Sequence, residues 1–342
     1  MIMKKLIPIA ILIITLTIAG LYTKNVDKTC SSGGGIAVQD NGLLIVRNLC
    51  VGDADSALIQ HNGKIGIIDT GTKDSYDDIA ASIDQTGAGE ISFMILTHYD
   101  KDHIGSALKI IENYDIETIF IPDYVSKKKK YEPLMKGIAE LTNVQTLSED
   151  TTYTWDDVNI EIIVADDDSY LEDDSTVDNN ESLVCMMSYG ANRLLFTGDI
   201  EKKRINKLIE SGIDLSCDYI KIPHHGKDTK QAIKLARYTT PEYAVISTSS
   251  DIDKAVDTAN ALTEAGVKTF NTSDGEIITI ANGITVSSEY ADPYLNYEVI
   301  DAMYQELPKG STRKIIGGAA HCAYIEKPYY HDFQNTVINF LK

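Results

Sequence analysis

The sequence predicts an α/β fold: two mixed sheets packed face to face and flanked by helices, an αββα sandwich, with an extra C-terminal α/β tail. Three observations predict it. The first strands follow one another as a meander joined by tight turns. Strands then alternate with helical spacing, and this order broadly repeats in the second half of the chain. No short tandem repeat is present.

Leu43–Leu49, Ser56–Gln60 and Lys64–Asp69 read as strands, with turns at Gly52-Asp53 and Asn62-Gly63. Tyr76–Gln85 has amphipathic helical spacing, and Ile91–Leu96 is a short apolar run of buried-strand type. Ile104–Tyr114 is helical again and Thr118–Ile121 returns to strand. Lys127–Lys130 is a run of like charges that reads as the solvated start of a helix, or as a phosphate-contacting patch. Val158–Val164, Ser182–Tyr189 and Arg193–Phe196 are strands, and Asp166–Asp178 is an acidic surface loop. Helices at Ile200–Ser211, Ala232–Tyr238 and Ala255–Ala265 alternate with strands at Asp218–Ile222 and Tyr243–Ser247. A further strand and a hairpin turning at Asn282-Gly283 end near Ser288.

Hydrophobic residues make up 43% of the 342 positions, enough for a sizeable core. The formal net charge is −20, which disfavours sequence-independent attachment to nucleic acid unless bound cations or a local basic patch offset it. The cysteines are scattered without a CxxC pair, which argues against a Cys-ligated zinc site or a disulfide scaffold. Cys50, Cys185 and Cys217 read as small apolar fillers in strands.

Lys4 and Lys5 precede a nearly unbroken apolar run from Leu6 to Tyr22, followed by polar residues to Lys28. These are the parts of a signal peptide or signal-anchor over residues 1–28, which places the rest of the chain outside the cytoplasm, secreted or held at the membrane. Residues 29–288 then form the main domain and 289–342 the tail.

The chemistry concentrates in Thr97-His98-Tyr99-Asp100-Lys101-Asp102-His103, directly after a strand. Four candidate ligands lie within six residues on a strand-to-helix turn, and imidazole with carboxylate suits Zn, Mn or Fe. Asp199 follows the strand ending at Thr197, and His224-His225-Gly226 follows the strand ending at Ile222. Each set sits where a strand ends, so one edge of a sandwich gathers them.

The HxxxDH core and the order His–Asp–Asp–His, Asp, His resemble the metallo-β-lactamase superfamily, and more narrowly its competence-type (ComEC-like) branch. Further segments carry the resemblance: Val51–Ser56, Ile67–Gly71, Thr97–Gly105, Asn179–Val184, Phe196–Asp199 and Pro223–Gly226, covering roughly residues 43–288. The resemblance implies two divalent metal ions, Zn or Mn. His98 and Asp100 would bind the first, Asp102 (also the catalytic carboxylate) and His103 the second. Asp199 would bridge them, and His225, or else His224, would complete the second site. Asn180 occupies the region of an absent histidine, and Asp69 would support the ligands from behind. Two departures stand out: Lys227 follows Gly226 where the branch usually has Ser, and Ser247–Ala255 lacks a later His.

Within the tail, Ile315–Pro328 resembles the end of an α/β-hydrolase, with His321 as the triad histidine and Asp292 as the acid. No GxSxG elbow is present, so the triad has no nucleophile and His321 and His331 read as structural. The function implied is an exported dinuclear hydrolase of phosphodiesters such as single-stranded DNA. The alternatives are a metallohydrolase of a small ester, lactone or lactam, and a catalytically weak binding module.

Overall fold

Strands that read as unbroken apolar runs are buried on both faces, and strands that alternate have one face toward solvent. That distinction organises the computed structural model, which describes residue 40 and residues 42–165, 177–249 and 252–291. The first sheet holds eight strands: β1 (Leu44–Asn48), β2 (Ala57–His61), β3 (Lys64–Ile68), β4 (Ile91–Ile95), β5 (Ile116–Pro122), β6 (Val144–Leu147), β14 (Ile277–Ala281) and β15 (Val286–Tyr290). The second holds seven: β7 (Thr151–Trp155), β8 (Val158–Ile163), β9 (Val184–Tyr189), β10 (Asn192–Phe196), β11 (Tyr219–Lys221), β12 (Tyr243–Ile246) and β13 (Lys268–Asn271). Their orders are β15-β14-β1-β2-β3-β4-β5-β6 and β13-β12-β11-β10-β9-β8-β7.

Each sheet begins as an antiparallel meander and continues as parallel strands. In the first, β3 to β6 run parallel and are joined by α1 (Tyr76–Thr86), α2 (Ala107–Asn113) and α3 (Tyr131–Ile138). The second sheet repeats this plan, with a short α4 (Val177–Asn180) between β8 and β9. There β10 to β13 run parallel through α5 (Lys202–Ser211), α6 (Thr229–Thr239) and α7 (Asp253–Glu264). Parallel strands joined by helical crossovers place all their C-terminal ends on one rim, the rim where such sheets collect functional loops.

Between the sheets Val46, Ile59, Phe93, Ile160, Met187 and Phe196 form the central core. Each sheet's outer face is covered by its own helices, with Ile79, Ile83 and Ile110 on one side and Ile205, Leu208 and Leu235 on the other. Gly66 in β3 lies against the Phe93 ring, where any Cβ would collide with it. A glycine there lets β3 and β4 pack under an aromatic side chain.

Several expectations are corrected. Strands β6 and β7 were not foreseen: β6 is largely exposed and β7 is rich in threonine, so neither shows an apolar run. Asp178, expected on a surface loop, is buried because the Ser126 hydroxyl donates to its carboxylate at 2.7 Å. Lys127–Lys130 directly precedes α3, which begins at Tyr131. Cys185 and Cys217 are buried thiols, but Cys50, just past β1, is disulfide-bonded rather than a filler. The N-terminal segment 1–28, most of the acidic loop, and the tail from Asp292, with His321 and His331, also lie outside them. Among the described residues no helix is long and apolar enough to cross a membrane.

Candidate metal centre

Three of the parallel strands deliver the ligand loops. Beyond β3, Asp69 takes a left-handed backbone (φ 59°) and turns its carboxylate under the next loop. Thr97, just past β4, donates to Asp69 from its amide at 2.8 Å and its hydroxyl at 2.7 Å. The loop then folds back over the Asp69 turn, where the Gly105 amide donates to the Gly71 carbonyl at 2.8 Å. A Cβ at Gly105 would strike the backbone of Lys101 and Thr72, so this close approach needs glycine.

The imidazoles are held from behind. His103 Nδ1 lies 2.7 Å from Asp69 Oδ2, and His225 Nδ1 lies 2.9 Å from the Ser247 carbonyl. Donation through Nδ1 leaves Nε2 as the free, lone-pair-bearing nitrogen in each ring. His98 Nδ1 lies between the Thr97 hydroxyl at 3.1 Å and the Ser182 hydroxyl at 3.3 Å. All three rings are buried, and none of the three Nε2 atoms makes a hydrogen bond within the chain.

These nitrogens face carboxylates. Asp199 Oδ2 lies 3.2 Å from His103 Nε2 and 3.3 Å from His225 Nε2, and Asp102 Oδ2 lies 3.5 Å from His225 Nε2. Ligand atoms of His98, His103 and Asp199 fall within 4.8 Å of one another, as do those of Asp102, His103 and His225. Buried imidazole nitrogens without partners, converging with two carboxylates, fit a divalent transition-metal ion. His224 and His225 are both left-handed, at φ 48° and 52°. This uncommon backbone for a side-chain-bearing residue aims His225 inward. The His224 amide donates to Asp199 Oδ1 at 3.2 Å.

The electrostatics follow from burial and pairing. Burial, with His103 adding to it, holds His98 well below the usual imidazole range. Burial opposes the charge on His103, but Asp199 and Asp69 keep it well above that range. At His225 burial is likewise outweighed by Asp199 and Asp102, which push it up to about 10. Asp199 and Asp102 are held well below the carboxylate range despite burial, chiefly by His103 and His225. Imidazoles and carboxylates thus stabilise one another here, and a divalent ion between them would take over that role.

Some residues singled out in the sequence are not brought into these groups. Asp100 is in none of these groups, and both its oxygens meet Lys128 Nζ, at 2.8 and 2.9 Å. His224 Nδ1 lies 3.0 Å from Glu201 and is part-exposed. Asn180 Oδ1 accepts from the amides of Glu201 at 3.0 Å and Arg204 at 3.3 Å, which caps the start of α5. Asp69 stands behind His103. Lys227 Nζ pairs with Asp53 at 3.0 Å beside the His225 turn.

Two residues escaped the sequence reading. Asp55, on the loop between β1 and β2, has Oδ1 3.7 Å from His225 Nδ1 and Oδ2 3.9 Å from His103 Nδ1. Its Oδ2 also accepts from the buried ammonium of Lys221 at the end of β11. The available signal was Lys221 itself, a lone charge in the otherwise apolar run Tyr219–Ile222.

A family model described as the metallo-beta-lactamase superfamily matches residues 51–250. ComE operon protein 3 of Bacillus subtilis (strain 168) is 25% identical over 162 residues, 47% of this chain and 20% of that protein. Competence protein ComA of Neisseria gonorrhoeae is 26% identical over 200 residues, 57% of this chain and 26% of that protein. The chain therefore spans about a quarter or less of the length of these curated relatives. Among solved structures, the metallo-beta-lactamase fold protein YhfI from Bacillus subtilis matches with a TM-score of 0.45 and 12% identity, over 72% of this chain and 99% of that one.

Proposed function

The chain belongs to the metallo-β-lactamase superfamily of metal-dependent hydrolases, and we propose that it acts outside the cytoplasm as a phosphodiesterase on single-stranded DNA or a related phosphodiester. The observation that carries hydrolysis is the convergence of three unpartnered imidazole nitrogens with Asp102 and Asp199. His98, Asp102, His103, Asp199 and His225 would hold divalent metal, Zn or Mn by their donor set. When bound, such an ion supplies Lewis acidity and acidifies water toward neutral pH. The protein supplies orientation. Asp69 and the Ser247 carbonyl fix two rings, and the strained His224–His225 turn fixes the third ligand loop. The Asp102 side chain is 19% exposed, against 5% for Asp199 and 1% for Asp69. It is thus the carboxylate of the set most open to solvent and to an approaching substrate.

The competence and recombination proteins among the relatives support a phosphodiester substrate. Export is supported by the Lys4-Lys5 and apolar leader, and by the bond at Cys50, since disulfides persist in oxidising compartments. The test is cleavage of a fluorescent single-stranded oligonucleotide with Mn or Zn, compared with Asp102→Ala. Cleavage that requires metal and is lost in the variant is the expected result; no cleavage with either metal would remove the nuclease reading.

The charge of −20 favours a second reading, a small ester, lactone or lactam. The two separate by salt. Hydrolysis of a nucleic acid weakens steeply as ionic strength rises, and hydrolysis of a neutral ester does not.

A further inference from the structure

We propose that Lys128 is a built-in competitor for the metal centre. By holding Asp100 it leaves the chain with one firmly retained ion, at Asp102, His103, Asp199 and His225, and a second position beside His98 that fills weakly. The inference rests on the metal site proposed above and concerns how many ions it keeps.

The donors around the site divide unequally. Asp199 Oδ2 lies within 3.3 Å of both His103 and His225, and Asp102 completes that side. The His98 side has the same Asp199 and His103, but no carboxylate of its own. The carboxylate that the chain offers there is Asp100, two residues along the same turn. Lys128 Nζ sits astride it, 2.8 Å from one oxygen and 2.9 Å from the other.

Lys128 is anchored rather than loosely placed. Its amide donates to the Ser126 hydroxyl at 3.0 Å, and that hydroxyl donates to the buried Asp178 carboxylate at 2.7 Å. Asp100 is itself only 22% exposed and Lys128 36%, so solvent screens their pairing incompletely. An ammonium and a divalent cation cannot share one carboxylate without mutual repulsion. A second ion must therefore displace Lys128, and its affinity is lowered by the strength of that pairing. Lys127 and Lys129, exposed on either side in the sequence, are natural controls.

The experiment uses the full chain, loaded with Mn(II) and desalted, as wild type, Lys128→Met and Lys128→Arg, with Lys129→Met as control. Metal content is read by elemental analysis, second-ion affinity by titration calorimetry, and pairing of ions by electron paramagnetic resonance. Wild type, Lys128→Arg and Lys129→Met should retain one ion and give a mononuclear spectrum. Lys128→Met should retain two, give an exchange-coupled spectrum, and bind the second about fivefold more tightly, the scale expected for loss of one opposing ion pair. Equal content and equal second-ion affinity in wild type and Lys128→Met would overturn the inference while leaving the metal site standing. A wild-type protein that retains no ion would overturn both.

Discussion

Replacing Lys221 by methionine tests whether a charge pair underlies the metal centre. Lys221 and Asp55 have side chains only 6% and 7% exposed, and their contact joins β11 of one sheet to the loop before β2 of the other. Methionine fills much of the same volume but removes the ammonium. Asp55 is then left buried, with Oδ1 already lacking a hydrogen bond and with the Asp69 carboxylate close by. Breaking one side of a buried pair costs about 3–5 kcal/mol, because the remaining charge stays uncompensated. That is a large fraction of the roughly 5–15 kcal/mol that holds a typical domain folded. Urea unfolding of the metal-free protein measures it. Lys221→Met should lose this amount, and the double variant Asp55→Leu/Lys221→Met should recover most of it. A loss below about 1 kcal/mol in the single variant, the value of a solvent-exposed pair, would refute the reasoning.

Two further outcomes follow from the same geometry. Asn180→Ala should cost about 1 kcal/mol through loss of the α5 cap, with metal content unchanged; loss of bound metal would show instead that Asn180 is a ligand. Burial pushes the Cys217 thiol up to about 12, so it stays protonated in the native protein at pH 8. Iodoacetamide should label it only after unfolding, because the thiolate is the nucleophile. Labelling at the rate of an exposed thiol would contradict the buried position.

Both sheets and the rim that carries the centre were legible because they rest on local signals. Apolar runs ended at Leu96, Thr197 and Ile222, and histidine or aspartate followed each one. The edges were less legible. Strand β6 (Val-Gln-Thr-Leu) is largely exposed and owes its existence to pairing with β5, which no local pattern announces. Side-chain direction was illegible for a similar reason. His98 and Asp100 are two residues apart in one turn, yet one ring enters the site and the other carboxylate meets a lysine from the loop before α3. The Asp55–Lys221 pair spans 166 positions of sequence, so only the closed sandwich reveals it. The capping role of Asn180 likewise depends on α5 arriving beside it, since its partners lie 21 and 24 residues on.

The ligand loops come from both sheets: Asp102 and His103 after β4 of the first, Asp199 and His225 after β10 and β11 of the second. No contiguous half of the chain therefore carries a complete binding site. A growing chain lacks the complete ligand set until residue 225 has emerged and the two layers have docked. Acquisition is the last step of assembly, and the ion acts as a rivet set after the plates are aligned. Any metal that the protein takes up is thus the one available where the two layers dock.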